Sequence, residues 1–87
     1  MAEGELLGKV VHYFDRIGVA VIALQGPLRV GDQVHFLGRS TDFDQTIDSM
    51  QVEHQPVAES AAGSEVAARV RQRVRAGDAV YKIGTSA

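Results

Sequence analysis

The sequence contains no cysteine among its 87 residues. This absence excludes disulfide bonds, thiolate nucleophiles and cysteine-ligated metal sites. No apolar run approaches the roughly 18 to 20 residues that a membrane-spanning helix needs, and the first residues, MAEGE, carry acid where a signal peptide needs base. We therefore expect a soluble, cytoplasmic protein without a membrane partner.

Motifs that carry chemistry are also scarce. His12, His35 and His54 lie far apart in the sequence and lack the spacing of a zinc site. The serines lie in no Gly-x-Ser-x-Gly elbow. A chain of this length buries only about 60 to 65% of its unfolded surface, which disfavours a deep catalytic pocket. We predict a non-enzymatic protein with no catalytic residue, no metal site and no cofactor.

The residues that are present predict a small all-β domain. Hydrophobic residues make up 45% of the chain and charged residues 23%, as in folded globular proteins. Val and Ile number 16 against 7 for Leu and Met, which favours strands. Apolar patterning predicts six strands, at 6–14, 17–24, 32–38, 43–54, 65–75 and 79–83. Short turns between them predict a closed six-stranded antiparallel barrel, within a single domain 1–87 that has its barrel at about 6–83 and flexible ends at 1–5 and 84–87.

The fourth predicted strand changes phase. Its apolar positions are odd up to Ile47 and even from Met50 onward. A one-residue change of this kind is what a β-bulge produces. Two short strands separated by a kink are the alternative.

Arginine occupies every second position in the later part of the fifth predicted strand. These positions are Arg69, Arg71, Arg73 and Arg75. A strand would place all four guanidinium groups on one face, although Ala and Arg are also good helix formers. The four groups could contact phosphates, or they could pair with the six acids that lie between Ser40 and Ala68.

Net charge alone does not decide between these uses. The formal charge of −2 argues against a nucleic-acid binder. However, residues 1–60 hold four bases and nine acids, whereas residues 61–87 hold five bases and two acids. The two parts therefore carry −5 and +3, and the basic part keeps RNA as a candidate partner.

A short pattern occurs twice, as LRVGDQV at 28–34 and as VRAGDAV at 74–80. In each copy a Gly-Asp pair precedes an apolar run. Glycine permits positive φ, and an aspartate side chain can accept hydrogen bonds from nearby backbone amides. We predict two similar turns, each leading into a strand.

Together with GKVV at 8–11, IGVAV at 17–21 and AGSEV at 62–66, the order and spacing of these motifs resemble the second domain of translational GTPases such as elongation factor Tu. The resemblance covers about residues 6–83. It implies a translation-factor barrel that helps to hold tRNA or contacts the ribosome. It also implies that Gln51 stands where that family has an acidic side chain beside the terminal adenosine of aminoacyl-tRNA.

The GTPase activity of that family is not expected here, because its nucleotide-binding domain has no counterpart. The segment GELLGKV at 4–10 has three residues between its glycines, where a P-loop has four. It also has Val10 where a P-loop needs Ser or Thr to bind magnesium. We predict that the protein binds no nucleotide.

The resulting hypothesis is a stand-alone translation-factor-like barrel. It would bind tRNA, rRNA, the ribosome or a translation-associated protein through Gln51 and the four arginines. The alternative is a protein-interaction module, or an accessory domain of a larger enzyme complex, with no RNA contact.

Overall fold

The computed structural model describes residues 5–84, which form ten β-strands and no helix. The all-β class predicted from the sequence is therefore confirmed. The strands are β1 (Glu5–Phe14), β2 (Val19–Leu24), β3 (Leu28–Arg29), β4 (Gln33–Leu37), β5 (Asp42–Thr46), β6 (Met50–Val52), β7 (Gln55–Pro56), β8 (Glu59–Ser60), β9 (Glu65–Arg69) and β10 (Ala79–Gly84). Of the predicted flexible ends, 1–4 and 85–87 lie outside the described residues, and Glu5 and Gly84 belong to strands.

Eight strands form one sheet in the order β5-β4-β10-β1-β2-β9-β6-β7, and β3 pairs separately with β8. All of the pairings are antiparallel. Within residues 5–84 no ladder joins β5 to β7, so the sheet is open at both ends. The predicted closed six-stranded barrel is not supported. The chain divides into more and shorter strands, and the β3–β8 pair lies outside the main ladder.

The first and last strands of the described chain are neighbours. β1 and β10 run antiparallel, with Glu5 opposite Lys82 and Lys9 opposite Ala79. The ladder slips by one residue between Leu6 and Gly8, which is the signature of a bulge. The two ends of the described chain therefore emerge side by side.

The predicted strand 43–54 is two strands, β5 and β6, separated by residues 47–49. Ile47 in the connection is fully buried, and so is Met50 at the start of β6. The alternative of two short strands is confirmed, and the bulge predicted at this point is wrong. The change of phase arises because the chain leaves the sheet between the two buried side chains.

The repeated Gly-Asp pattern forms two matching turns, as predicted. The Arg29 amide donates to the Asp32 carboxylate at 3.0 Å, and the Arg75 amide donates to the Asp78 carboxylate at 2.9 Å. The Asp32 amide donates back to the Arg29 carbonyl at 3.1 Å, and the Asp78 amide to the Arg75 carbonyl at 3.0 Å. The glycines preceding these aspartates have φ of 103° and 97°, which L side chains rarely adopt.

One apolar core lies on the inward side of the main sheet. It includes Val10, Ile22, Val34, Phe36 and Val80, from four different strands. The rings of Phe36 and Phe43 stack with centroids 5.1 Å apart, which adds to the stabilisation from burial. No segment of residues 5–84 forms a helix long and apolar enough to cross a membrane.

Candidate binding groove

A row of paired residues crosses the outward side of the sheet. His12 lies opposite Val21, which lies opposite Ala67, and Ala67 in turn lies opposite Gln51 on β6. Residues paired directly across strands point to the same face. Val21 and Ala67 are only partly buried, whereas their sequence neighbours belong to the core. The outward side of β2 and β9 is therefore apolar and accessible.

This apolar side forms the floor of a groove of about 540 Å³, which we call the outer groove. It is lined by Phe14, Val21, Gln51, Val52, Glu53, His54, Ser64, Glu65, Val66 and Ala67. Phe14 at the end of β1 is 46% exposed. Most of the floor is aliphatic or aromatic, and the charged and amide side chains come from β6, β9 and the β6–β7 turn. Sites that bind peptides or small molecules share this combination.

The wall formed by the β6–β7 turn has an uncommon backbone. The two turn residues, Glu53 and His54, have φ of 52° and 68°. Two-residue hairpin turns favour positive φ at both positions because it matches the strand twist, and Asn-Gly is the usual choice. Side chains larger than glycine are strained there. Glu53 and His54 therefore line the groove at a cost in stability.

Replacing His54 with glycine should remove part of this strain. We expect the free energy of unfolding to rise by about 0.5 to 1 kcal/mol, since glycine adopts positive φ without a steric penalty. Urea denaturation of the purified chain measures the change. Gly63, which also has positive φ (91°), provides the reverse control, since Gly63→Ala should destabilise by a similar amount. A loss of stability in His54→Gly would show that the histidine side chain contributes more than the strain costs.

Gln51 is the predicted site residue that lies in the groove. It is exposed on β6, opposite Ala67 on one side and Pro56 on the other. Sequence reasoning missed the groove residues around it, including Phe14, Val52 and His54. One signal was available, because the predicted strand 17–24 is apolar on both faces, and its outward side chains form part of the floor.

The predicted arginine ladder does not form. β9 ends at Arg69, and the chain runs outside the sheet from residue 70 to residue 78. Arg71, Arg73 and Arg75 therefore lie on a loop, and all four arginines are exposed. We call residues 69–75 the basic loop, counting Arg69 at the end of β9 with the loop that follows it. The prediction that one strand displays the four guanidinium groups is wrong, as is the helical alternative.

The buried side chain of Gln45 fixes the position of the basic loop. Its amide nitrogen donates to the Arg69 carbonyl at 2.9 Å, and its oxygen accepts from the Arg71 amide at 2.7 Å. Val70 and Val74 are buried in the core on either side of the exposed residues. The loop therefore follows a defined path although it has no strand partner.

Three of the six acids between Ser40 and Ala68 contact bases outside the basic loop. Asp42 and Asp44 on β5 flank the imidazole of His35, and the first of these contacts is 2.9 Å long. Glu59 lies 3.3 Å from Arg29. Among the described residues, the basic loop has one ion pair, between Arg73 and Asp15 at 4.0 Å. The alternative in which an acidic strand neutralises the four arginines is not found among the described residues. In the described part of the chain, no group of three His, Cys, Asp or Glu side chains could hold a metal ion.

No protein-family model matches the chain. It is 33% identical over 76 residues to a protein of Methanocaldococcus jannaschii described as an uncharacterized protease, covering 86% of this chain and 19% of that protein. It is 31% identical over 78 residues to a collagenase of Porphyromonas gingivalis, covering 87% of this chain and 22% of the collagenase. These relatives are named as proteases. The chain spans about a fifth of the length of the curated relatives it matches.

Solved structures share the fold of this chain. The C-terminal domain of a Geobacillus thermoleovorans protein described as a U32 peptidase superimposes with a TM-score of 0.86 at 23% identity. The match covers 90% of this chain and 99% of that domain. The two chains share a fold. A second crystal structure of the same domain has the same TM-score and covers 92% of this chain and 93% of its own.

These findings overturn the resemblance to translational GTPases. The relatives and structural neighbours carry protease and peptidase names, and the translation-factor and RNA-binding assignments made for the chain are wrong. The Gly-Asp motifs misled because they encode a type of turn that any antiparallel sheet can use. The role implied for Gln51 beside a tRNA end is withdrawn with the resemblance. The prediction of a non-enzymatic protein is not supported either, since the relatives are named as enzymes.

Proposed function

We propose that the chain is an accessory domain of a larger peptidase, and that it contributes polypeptide binding through the outer groove while the hydrolytic centre lies elsewhere in the larger protein. The observation that carries the proposal is the coverage of the relatives. Almost all of this chain aligns with only 19 to 22% of proteins named as proteases. A unit that accounts for a fifth of such a protein, and that recurs as a separately crystallised C-terminal domain, is suited to an accessory role.

The outer groove suits an extended polypeptide segment. Its floor offers apolar contact from Phe14, Val21 and Ala67, and Gln51 presents an amide that both donates and accepts hydrogen bonds. Binding grooves typically combine an apolar floor with a few polar groups that fix the orientation of the ligand. The aromatic ring of Phe14 also suits proline-rich segments, which dock onto aromatic-lined grooves.

The claim that the chain binds polypeptide but does not hydrolyse it can be tested on the 87-residue chain alone. Denatured collagen is the probe, since one relative is named as a collagenase. We expect binding without cleavage. The variant Phe14→Ala should weaken binding about tenfold through lost apolar contact. Leu37→Ala is the matched control, because Leu37 is 42% exposed, close to the 46% of Phe14, and lies on β4 away from the groove. Cleavage by the chain alone, or equal loss in both variants, would contradict the proposal.

A deletion in a relative tests the accessory role directly. Removing the matching 78 residues from the Porphyromonas gingivalis collagenase should slow hydrolysis of denatured collagen about tenfold or more, because a tethered binding module raises the effective substrate concentration. Hydrolysis of a short peptide that does not reach the groove should change little. Equal loss on both substrates would mean that the segment maintains the hydrolytic centre itself.

A further inference from the structure

The basic loop lies against the turn that connects β1 and β2. The Val70 amide donates to the Gly18 carbonyl at 2.9 Å, and Arg73 reaches Asp15 of that turn at 4.0 Å. The turn itself presents Arg16 and Ile17, both exposed. The basic loop and this turn are neighbours and together carry five exposed arginines, which with Ile17 we call the basic surface. Its members are Arg16, Ile17, Arg69, Arg71, Arg73 and Arg75. Arg71 also borders a small pocket that Asp44 and Gln33 line.

The backbone that carries these arginines is held in place. Gln45 bonds to the loop on both sides of Val70, and Val70 and Val74 are buried. The Arg75 amide is bound by Asp78. A partner that binds this surface therefore does not have to order the loop first, and preorganisation of this kind favours affinity.

The charge of the basic surface is available to a partner. Its one ion pair among the described residues, between Arg73 and Asp15, joins side chains that are 68% and 67% exposed. Exposed pairs of this kind contribute little and exchange readily. The carboxylates of Asp42, Asp44 and Glu59 are in contact with other bases. Asp44 borders the same pocket as Arg71 but contacts His35, and among the described residues none of these three carboxylates forms an ion pair with an arginine of the basic surface.

The apolar member of the surface favours a polypeptide over a nucleic acid. Ile17 is 62% exposed, more than any other large apolar side chain in the described region. Protein interfaces combine a central apolar residue with surrounding arginines. Single-stranded nucleic acids instead rely on stacking against aromatic rings. Tyr13 and Phe14 line one pocket with Arg16 and Ile17, so the RNA arm of the test below decides between the two classes of partner.

We infer that the basic surface docks an acidic polypeptide segment that also carries apolar residues, and that this segment belongs to the remainder of the larger peptidase. This inference rests on the accessory role proposed above. It assigns a second surface to the domain, so that the outer groove takes substrate while the basic surface holds the domain in place. Arg69 connects the two, because it lies opposite Val19, which lies opposite Phe14 of the groove.

Fluorescence anisotropy with labelled peptides tests the inference on the 87-residue chain. The probes are a peptide of alternating glutamate and leucine, a polyglutamate of equal charge and an RNA oligonucleotide of equal charge. We expect the alternating peptide to bind most tightly, with affinity falling as salt rises from about 50 to 300 mM. Arg71→Glu with Arg73→Glu should weaken binding about tenfold or more. The matched control is Lys9→Glu with Arg39→Glu, which changes net charge equally away from the basic surface and should stay within about twofold.

The role of Ile17 gives an independent readout. Ile17→Ala should weaken binding of the alternating peptide several-fold and leave the affinity for polyglutamate unchanged. Tighter binding of RNA than of either peptide, equal loss in the two double variants, or no binding of the acidic peptides would overturn the inference. These results are separable from the accessory role, because the collagen-binding measurement tests the outer groove and the deletion removes the domain as a whole, whereas the Arg71, Arg73 and Ile17 variants change only the basic surface.

Discussion

Replacing Gly8 with alanine should destabilise the domain severely. A Cβ atom at this position would lie 2.3 Å from the carbonyl oxygen of Ala23, well inside van der Waals contact. The obstruction is the backbone of the neighbouring strand β2, which cannot rotate away as a side chain could. We expect the free energy of unfolding to fall by about 3 kcal/mol or more, which corresponds to a melting temperature about 12 °C lower or more for a domain of this size.

Thermal and urea denaturation of the purified chain measure this effect, with Gly26→Ala as the matched control. A Cβ at Gly26 would meet only the end of the Leu7 side chain at 3.6 Å, an ordinary contact. That variant should stay within about 0.5 kcal/mol of the parent. If Gly8→Ala were as stable as Gly26→Ala, strands β1 and β2 would have to be further apart than the structure places them.

The second large effect is expected for Gln45→Leu. Gln45 is 5% exposed, and its side chain donates a hydrogen bond to the Arg69 carbonyl and accepts one from the Arg71 amide. Leucine has a similar volume but bonds to neither group, so two backbone groups lose their partner. We expect a loss of about 2 to 3 kcal/mol in the free energy of unfolding. Amide hydrogen exchange at Arg71 should also accelerate, because the bond that protects this amide is removed.

The control for this substitution is Gln33→Leu. Gln33 borders the same small pocket as Gln45 and Arg71 but is exposed, so its replacement should change stability by about 0.5 kcal/mol or less. If the two substitutions lowered the free energy of unfolding equally, the two hydrogen bonds of Gln45 would not be the reason for the loss. Unchanged exchange at Arg71 in Gln45→Leu would mean that the loop keeps its path without this side chain.

The positions of several strands could be predicted from the sequence because their patterns are local. The predicted strand 6–14 is β1, Glu5–Phe14, and the predicted strand 79–83 is β10, Ala79–Gly84. In both, runs of β-branched and aromatic residues are bounded by turn-forming residues. The two Gly-Asp turns could also be predicted, since the aspartate bonds to an amide three residues before it.

Features set by long-range contacts could not be predicted. The alternation through Arg75 satisfies the rule for a strand, yet the chain leaves the sheet after Arg69. At that point Gln45, 26 residues before Arg71, bonds to the backbone of Arg69 and Arg71 in place of a strand partner. No local sequence pattern predicts a contact between residues so far apart. The open sheet has the same origin, since the way strands associate at its ends depends on pairings that the sequence does not display.

Part of the floor of the outer groove could be predicted from the sequence. Strand 17–24 is apolar on both sides, which implies an outward surface that something else covers, but a closed barrel could not be told from a binding groove by this pattern alone. Gln51 was selected through a resemblance that proved wrong, yet it lies in the groove because its strand neighbours Ala67. The pairing of Gln51 with Ala67 places it in the groove independently of any family resemblance.

The pairing of β1 with β10 has a consequence for how the domain can be carried by a larger protein. With Glu5 opposite Lys82, the described chain begins and ends on two neighbouring strands in the middle of the sheet. A unit of this kind can be attached to a larger protein through one pair of neighbouring linkers. Joining the two ends and opening the chain at an exposed turn would therefore preserve the sheet, and circular permutants of the domain should fold.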